Sequence, residues 1–96
     1  MTVRKLKDLI ADRNGDEFLK FERIVAPRSK CPDLNAFLLL EELVPGTGDM
    51  ISCAAHDEFF LSIDLDDLAR VITPEAAIEL VRCGIRISED SLCMFA

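Results

Sequence analysis

The sequence predicts a single α+β domain with an N-terminal helical part, a central antiparallel sheet, a helix pair and a C-terminal β-hairpin. Three patterns predict this class: helical apolar spacing near the start, strand-like alternation at 58–65, and helix-capping signals at 64 and 73. The chain has 96 residues, of which 50% are apolar. Chains of this length and apolar content bury one core, so we expect residues 1–96 to form one domain.

The N-terminal part begins with an amphipathic helix. Its apolar face consists of Val3, Leu6, Leu9 and Ile10. This spacing predicts a helix over Thr2–Arg13, which we expect Asn14-Gly15 to end. The segment 17–26 fits either a helix or an irregular strand, and its spacing favours the helix. A loop is expected from Pro27 to Asp33.

The central part is expected to form strands. Residues 36–44 fit a buried strand or a helix, and Pro45 with the two glycines at 46 and 48 predicts a turn after them. We expect a second strand over Ile51–Ala55. In the next segment, Phe59, Leu61, Ile63 and Leu65 alternate with Glu58, Phe60, Ser62 and Asp64. This period of two is typical of a half-buried strand.

Two short helices are predicted next. Asp64 is an expected N-cap, and Asp66 and Asp67 fall in the first turn, where the helix dipole favours negative charge. Thr73-Pro74 predicts the start of the second helix, because threonine caps well and proline is tolerated at the first helical position. We expect Gly84 to end that helix.

A C-terminal hairpin at 85–95 gives the order helix, helix, hairpin, which is that of a winged helix-turn-helix DNA-binding unit. The second helix of such a unit needs basic side chains for bases and phosphates. Residues 74–83 offer Arg82 beside Glu75 and Glu79. The sequence therefore disfavours direct nucleic-acid binding and keeps a small DNA-associated transcriptional regulator as an alternative.

Charge is divided unevenly along the chain, which carries 11 Lys and Arg, 18 Asp and Glu and a net charge of −7. Residues 1–30 hold eight bases and five acids, so this helical part is mildly basic. Residues 31–96 hold three bases and thirteen acids and are predicted to form an acidic α+β body. No Lys or Arg occurs from Cys31 through Ala69. Such a surface attracts basic proteins and repels nucleic acids and anionic membranes, so we expect a basic protein partner and no membrane.

Partner-binding residues are predicted within this acidic body. Phe60 shares a strand face with acids, so it is either covered by another element or serves as an apolar anchor for a partner. The candidate set consists of Glu41, Glu42, Asp57, Glu58, Phe60, Asp64, Asp66 and Asp67. The alternative is that these charges only keep the protein in solution.

The sequence predicts no enzyme activity, no metal site and no cofactor. His56 is the only histidine, and in a strand its side chain and that of Cys53 point to opposite faces. The four cysteines form no C-x-x-C pair, which predicts reduced thiols. With neither a signal peptide nor a membrane-spanning run of ~20 apolar residues, we expect a cytoplasmic protein.

These features together predict a non-enzymatic inhibitor or regulator that binds a basic protein surface. By analogy of size and charge, nucleic-acid mimics such as anti-restriction and anti-CRISPR proteins, and toxin-immunity proteins, carry surfaces of this kind. The analogy extends to an origin in a phage or mobile element. A structural homo-oligomer, in which a second copy covers Phe60, is a further alternative.

Overall fold

The computed structural model describes residues 1–95, which form four α-helices, a 3-10 turn and four β-strands. The helices are α1 (Val3–Glu17), α2 (Pro32–Leu43), α3 (Leu65–Val71) and α4 (Pro74–Arg82), and the 3-10 turn spans Phe21–Arg23. The strands are β1 (Ile51–Ala55), β2 (Glu58–Leu61), β3 (Arg86–Ser88) and β4 (Ser91–Phe95). The predicted α+β class is confirmed.

Helix α1 extends further than its sequence signals indicate. Thr2 caps its N-terminus, but Asn14-Gly15 does not end it, so this part of the prediction is wrong. The helix continues to Glu17, whose carboxylate is held by Arg23 and Arg82. Glycine inside a helix costs only about 1 kcal/mol relative to alanine. Contacts at the end of the helix therefore outweigh the local stop signal.

The segment 17–26 is mostly irregular, which corrects the helix favoured by its spacing. After the last residue of α1, only Phe21–Arg23 is helical, as a single 3-10 turn. Leu19 and Ala26 adopt left-handed conformations, with φ of 60° and 53°, that a continuous helix cannot contain. The Leu19 amide instead donates a hydrogen bond to the Val81 carbonyl at 3.2 Å. This bond ties the segment to α4.

Residues 36–44, which fit either a strand or a helix, lie almost wholly in α2. The helix starts at Pro32, where the missing backbone N–H is not needed. Its buried side chains, Asn35, Ala36, Leu39 and Leu40, repeat at helical spacing. A continuous apolar run does not reveal its period, and the proline at the first turn was the signal for a helix.

The four strands form one antiparallel sheet in the order β1-β2-β4-β3. The C-terminal hairpin is therefore part of the central sheet, because β4 pairs with β2. The strand predicted over 58–65 ends at Leu61, and Leu65 already belongs to α3. Strands β1 and β3 are the two edges of the sheet.

The helix pair and the hairpin agree with their sequence signals. Asp64 and Thr73 cap α3 and α4 through their side chains. Gly84 follows α4 with a φ of 101°, and a Cβ at this position would lie 2.8 Å from Leu19 Cδ2. Glycine is favoured here by the backbone conformation, and any larger residue would also have to displace the end of the Leu19 side chain.

The core lies between the helices and one face of the sheet. Its fully buried large side chains include Leu6, Leu40, Leu68, Leu80, Ile85 and Leu92. Helix α1 packs on α4 and on β3, and α2 contacts β2 where the Phe37 and Phe59 rings meet edge-on at 6.1 Å. Strand β1 lies outside this core, with all five residues exposed.

Candidate protein-interaction surface

The eight predicted site residues lie in three separate parts of the structure. Glu41 and Glu42 are in the last turn of α2; Asp57, Glu58 and Phe60 are in the β1–β2 hairpin; Asp64, Asp66 and Asp67 are at the start of α3. The turn of this hairpin and the start of α3 lie at opposite ends of β2. The predicted residues therefore do not form one cluster.

The hairpin residues Glu58 and Phe60 are partly engaged inside the protein. Glu58 Oε1 accepts a hydrogen bond from Arg86 Nη2 at 2.9 Å, so a base on β3 neutralises its charge. Phe60 is half-buried, and the strand register places it between Cys53 of β1 and Cys93 of β4. Phe60 thus has a neighbour on each side within the sheet and only part of its ring is accessible.

The acids at the end of α2 also have internal partners. Arg28 Nε donates to Glu42 Oε2 at 2.8 Å, and this hydrogen bond lowers the pKa of Glu42. The same guanidinium lies 3.3 Å from the carboxylate of Glu79. Glu41 accepts a weak hydrogen bond from the Gly46 amide at 3.4 Å. The end of α2 therefore has less available negative charge than its sequence indicates.

The start of α3 is different, because its acids remain available to solvent. Asp64 Oδ1 accepts hydrogen bonds from the amides of Asp66 and Asp67 at 2.8 and 3.2 Å. Asp67 forms an exposed ion pair with Arg70 at 3.4 Å, which contributes little in water. Asp64 and Asp66 form no ion pair with any residue in 1–95. Both are exposed.

Two acids that the sequence did not single out lie at the same end of the sheet. The Ser62 amide donates a hydrogen bond of 2.7 Å to the carbonyl of Met50. Asp49, which precedes Met50, therefore lies next to the segment that leads into α3. Asp90, in the β3–β4 turn, lines a shallow depression of about 330 Å³ together with Asp64 and Asp66. We call Asp49, Asp64, Asp66 and Asp90 the acidic end.

Asp90 is the one member of the acidic end with a basic neighbour in the described part of the chain. Lys7 Nζ lies 2.6 Å from Asp90 Oδ1, and this contact lowers the pKa of Asp90. No sequence signal indicated Asp90, since only the pairing of β4 with β2 brings its turn towards α3. For Asp49 there was a sequence signal, because it lies in the stretch from Cys31 through Ala69 that contains no Lys or Arg.

Helix α4 exposes only its first turn, although the order helix, helix, hairpin is present. It packs against both α1 and α2, and none of residues 76–82 is exposed. Its only base, Arg82, donates to the Glu17 carboxylate at 2.8 Å. A recognition helix contacts base edges with donors near its N-terminus, whereas the exposed first turn of α4 carries the acid Glu75 and no base.

Glu17 is a nearly buried carboxylate at the centre of an ionic cluster. Its side chain contacts Arg23 at 2.6 Å and Arg82 at 2.8 Å, and only 8% of the residue is exposed. Hydrogen bonds from Arg82 and Arg23 lower the pKa of Glu17 from 4.5 to about 2. The cluster joins α1, the 3-10 turn and α4, so we assign it a structural role.

A second internal cluster surrounds Asn35, which is completely buried. Its Oδ1 accepts from the Arg28 amide at 2.6 Å, and its Nδ2 donates to Glu79 at 2.9 Å and to Cys83 Sγ at 3.3 Å. Burial raises the pKa of the Cys83 thiol to about 11. Such a thiol is inert, because the thiolate is the reactive form.

Cys53 and His56, whose side chains the sequence predicts on opposite faces of a strand, lie at the exposed hairpin. Cys53 is in β1, and His56 is in the following turn with a φ of 57°. Within residues 1–95, no three His, Cys, Asp or Glu side chains are grouped as metal ligands. Over the same range, the helices are too short or too polar to cross a bilayer.

Comparison with known proteins provides no assignment. No protein family model, curated protein or solved structure matches the chain. The functional argument therefore depends on the surface itself: an acidic end beside an exposed edge strand.

Proposed function

We propose that this protein is a non-enzymatic interaction module that presents its acidic end to the basic surface of a protein partner. The observation that carries the proposal is that Asp49, Asp64 and Asp66 are exposed at one end of the sheet without an ion-pair partner in residues 1–95. Some acids elsewhere, such as Glu17 and Glu42, are paired with arginines, and the unpaired acids of α1 alternate with bases along that helix.

The clustering of unpaired acids at one end of the sheet, in a part of the chain without Lys or Arg, supports a binding role. Neighbouring carboxylates repel one another, and folding does not require all of these charges. Asp64 caps α3, but asparagine caps a helix equally well. An unpaired acidic group of this kind attracts a basic surface and accelerates its association at low salt.

The partner class that fits best is a protein whose own ligand is a polyanion. A basic groove that binds nucleic acid would accept a compact acidic surface, so an inhibitor that occupies such a groove is the most concrete form of the proposal. Neutralisation of a basic toxin uses the same electrostatics. The four free thiols fit a reducing compartment, and we place this activity in the cytoplasm.

A capture experiment with a matched control tests the proposal. The chain is immobilised and exposed to lysate of its source cells at low and at high salt. The variant Asp49→Asn/Asp64→Asn/Asp66→Asn removes three charges from the acidic end and keeps the α3 cap. The control, Asp8→Asn/Asp12→Asn/Asp16→Asn, removes three exposed charges from α1.

We expect the wild type and the α1 control to capture the same basic protein at low salt and to release it at high salt. The acidic-end variant should retain roughly a tenth of it or less, because each lost charge pair at a partly desolvated contact weakens binding. Equal capture by both variants, or capture that salt does not change, would contradict the proposal.

A further inference from the structure

The outer edge of β1 is the least protected part of the sheet. β1 is the terminal strand in the order β1-β2-β4-β3, and across residues 1–95 it pairs with β2 only. All five of its residues are exposed. The opposite edge strand, β3, is packed against α1. One row of β1 backbone N–H and C=O groups therefore faces solvent.

We propose that this edge binds an extended segment of the basic partner as an additional β-strand. The inference rests on the proposed function and specifies how the partner is recognised. An uncovered edge supplies a row of backbone donors and acceptors that another chain can complete. Natural proteins commonly block such edges with lysine or proline, and Ile51–Ala55 contains neither.

The side chains of β1 also favour an added strand. Apart from Ile51, the strand consists of serine, cysteine and two alanines. Small side chains leave space on both faces of the edge for larger residues on the incoming strand, which alternate between the two faces. The incoming segment is therefore expected to carry β-branched side chains, which fit a pleated surface well.

The charges beside β1 select a basic segment over a second copy of this chain. Asp49 precedes the strand by two residues, and Asp57 follows it by two. If two copies paired antiparallel about Cys53, the end of β1 that follows Asp49 in one copy would lie near the hairpin turn that carries Asp57 in the other. Like charges opposite each other destabilise a strand pair, whereas lysine or arginine at those places stabilises it.

A register shift in β1 limits the part of this strand that can pair with an added strand. The pairing with β2 shifts register between Ile51 and Cys53, whereas Cys53, Ala54 and Ala55 pair regularly with residues 60, 59 and 58. A bulge distorts the ladder locally and blunts indiscriminate edge pairing. We therefore expect the added strand to bond chiefly to Cys53–Ala55.

The test uses two synthetic nine-residue peptides with blocked termini. Each has alternating valine and threonine, and one has lysine at both ends whereas the other has glutamate. Each peptide is titrated into the isotopically labelled full chain, and amide shifts and amide hydrogen exchange are measured residue by residue. The variant Asp49→Asn/Asp57→Asn removes the flanking charges, and Asp8→Asn/Asp12→Asn is the matched control.

We expect the lysine-ended peptide to shift and protect alternate amides of β1 and to bind about tenfold more tightly than the glutamate-ended one. The preference should largely disappear in Asp49→Asn/Asp57→Asn and persist in the control. Unaffected β1 amides, or equal binding of the two peptides, would overturn the inference. Shifts of β1 on concentrating the protein alone would also overturn it, in favour of a second copy.

The two proposals fail separately. If β1 binds the lysine-ended peptide but capture from lysate is insensitive to salt and to the acidic-end variant, the proposed function is wrong and the strand site remains. If capture depends on the acidic end but β1 does not respond to either peptide, the partner is recognised by charge without strand addition.

Discussion

The two hairpins of the sheet differ in how much of their surface is covered. In the β1–β2 hairpin, every residue of β1 is exposed and only Leu61 of β2 is buried. In the β3–β4 hairpin, β3 packs against α1, and Leu92, Cys93 and Met94 of β4 are buried. One sheet thus contains a hairpin that builds the core and a hairpin whose outer strand, β1, lies outside it.

This difference separates the residues that stabilise the fold from those that are free to bind. Burial of β4 removes apolar surface from water, which is the main favourable term in folding. β1 contributes little to that term, yet it lies between Asp49 and Asp57 and has an open edge. The proposed partner strand can therefore bind β1 without displacing buried side chains.

The largest expected effect is on thiol reactivity. Cys53 and Cys93 both pair with Phe60, one in each hairpin, but Cys53 is exposed and Cys93 is fully buried. Burial also raises the pKa of the Cys93 thiol. We expect a maleimide to modify Cys53 at least ~100-fold faster than Cys93, because Cys93 reacts only when the structure opens.

Mass spectrometry of the peptides after timed labelling measures both rates in one sample. Cys31, which is exposed, should react in the fast class, and Cys83, with its raised pKa, in the slow class. If maleimide modified Cys53 and Cys93 at comparable rates, the two hairpins would be equally accessible to solvent, and the difference between them described above would be wrong.

The next effect is on stability. Leu92 of β4 is fully buried, so Leu92→Ala should lower the free energy of unfolding by about 2–5 kcal/mol. Ile51→Ala in β1 should change it by less than about 1 kcal/mol, since 47% of Ile51 is exposed. Urea denaturation of both variants measures the difference. A large loss in Ile51→Ala would mean that β1 belongs to the core after all.

The third prediction concerns the Glu17 cluster and the dependence of stability on pH. The pKa of Glu17 is about 2 in the folded state and 4.5 in the reference state, so its stabilising effect is complete above about pH 4.5. It is lost as the pH falls towards 2. We expect Glu17→Gln to be less stable than the wild type at neutral pH and the gap to close in acid.

Thermal unfolding between pH 2 and 7 measures this gap. The control is Glu22→Gln, a nearby exposed glutamate for which the described residues provide no ion-pair partner. Its stability should follow that of the wild type throughout. A constant gap between Glu17→Gln and the wild type at all pH values would mean that the ion pairs with Arg23 and Arg82 do not stabilise the fold.

The smallest expected effect is at Asp64, which both caps α3 and belongs to the acidic end. Asp64→Asn keeps a capping side chain, so its stability should lie within about 0.5 kcal/mol of the wild type. Asp64→Ala removes the cap and should cost about 1 kcal/mol. If Asp64→Asn loses as much stability as Asp64→Ala, the charge itself serves the fold and is not reserved for binding.

The sequence predicts the elements whose signals are local. The caps at Asp64 and Thr73, the strand Ile51–Ala55 and the C-terminal hairpin all depend on residues within a few positions of one another. The end of α1 and the left-handed Leu19 depend on contacts with α4, some 65 positions away. No local pattern contains that information.

For the candidate site too, the sequence predicts some features and the fold determines the others. The charge imbalance is visible in the sequence, whereas ion pairing is not, so Glu42 and Glu58 were predicted as available although Arg28 and Arg86 neutralise them. Asp90 joins the acidic end only through strand order. A list of acids thus predicts the sign of a surface, and only the fold tells which acids are unpaired.

The most direct test of the claim that β1 faces the partner is photo-crosslinking from two cysteines. A benzophenone maleimide is attached to Cys53 in a Cys31→Ser variant, and to Cys31 in a Cys53→Ser variant. Cys31 precedes α2, about 18 Å of helix away from the end that leads towards β1. Both proteins are irradiated in lysate of the source cells at low and at high salt.

The account predicts that the label on Cys53 crosslinks a basic protein at low salt, that high salt abolishes the adduct, and that the label on Cys31 forms little of it. Equal adducts from both positions, adducts with a second copy of the chain only, or none from Cys53 would contradict it.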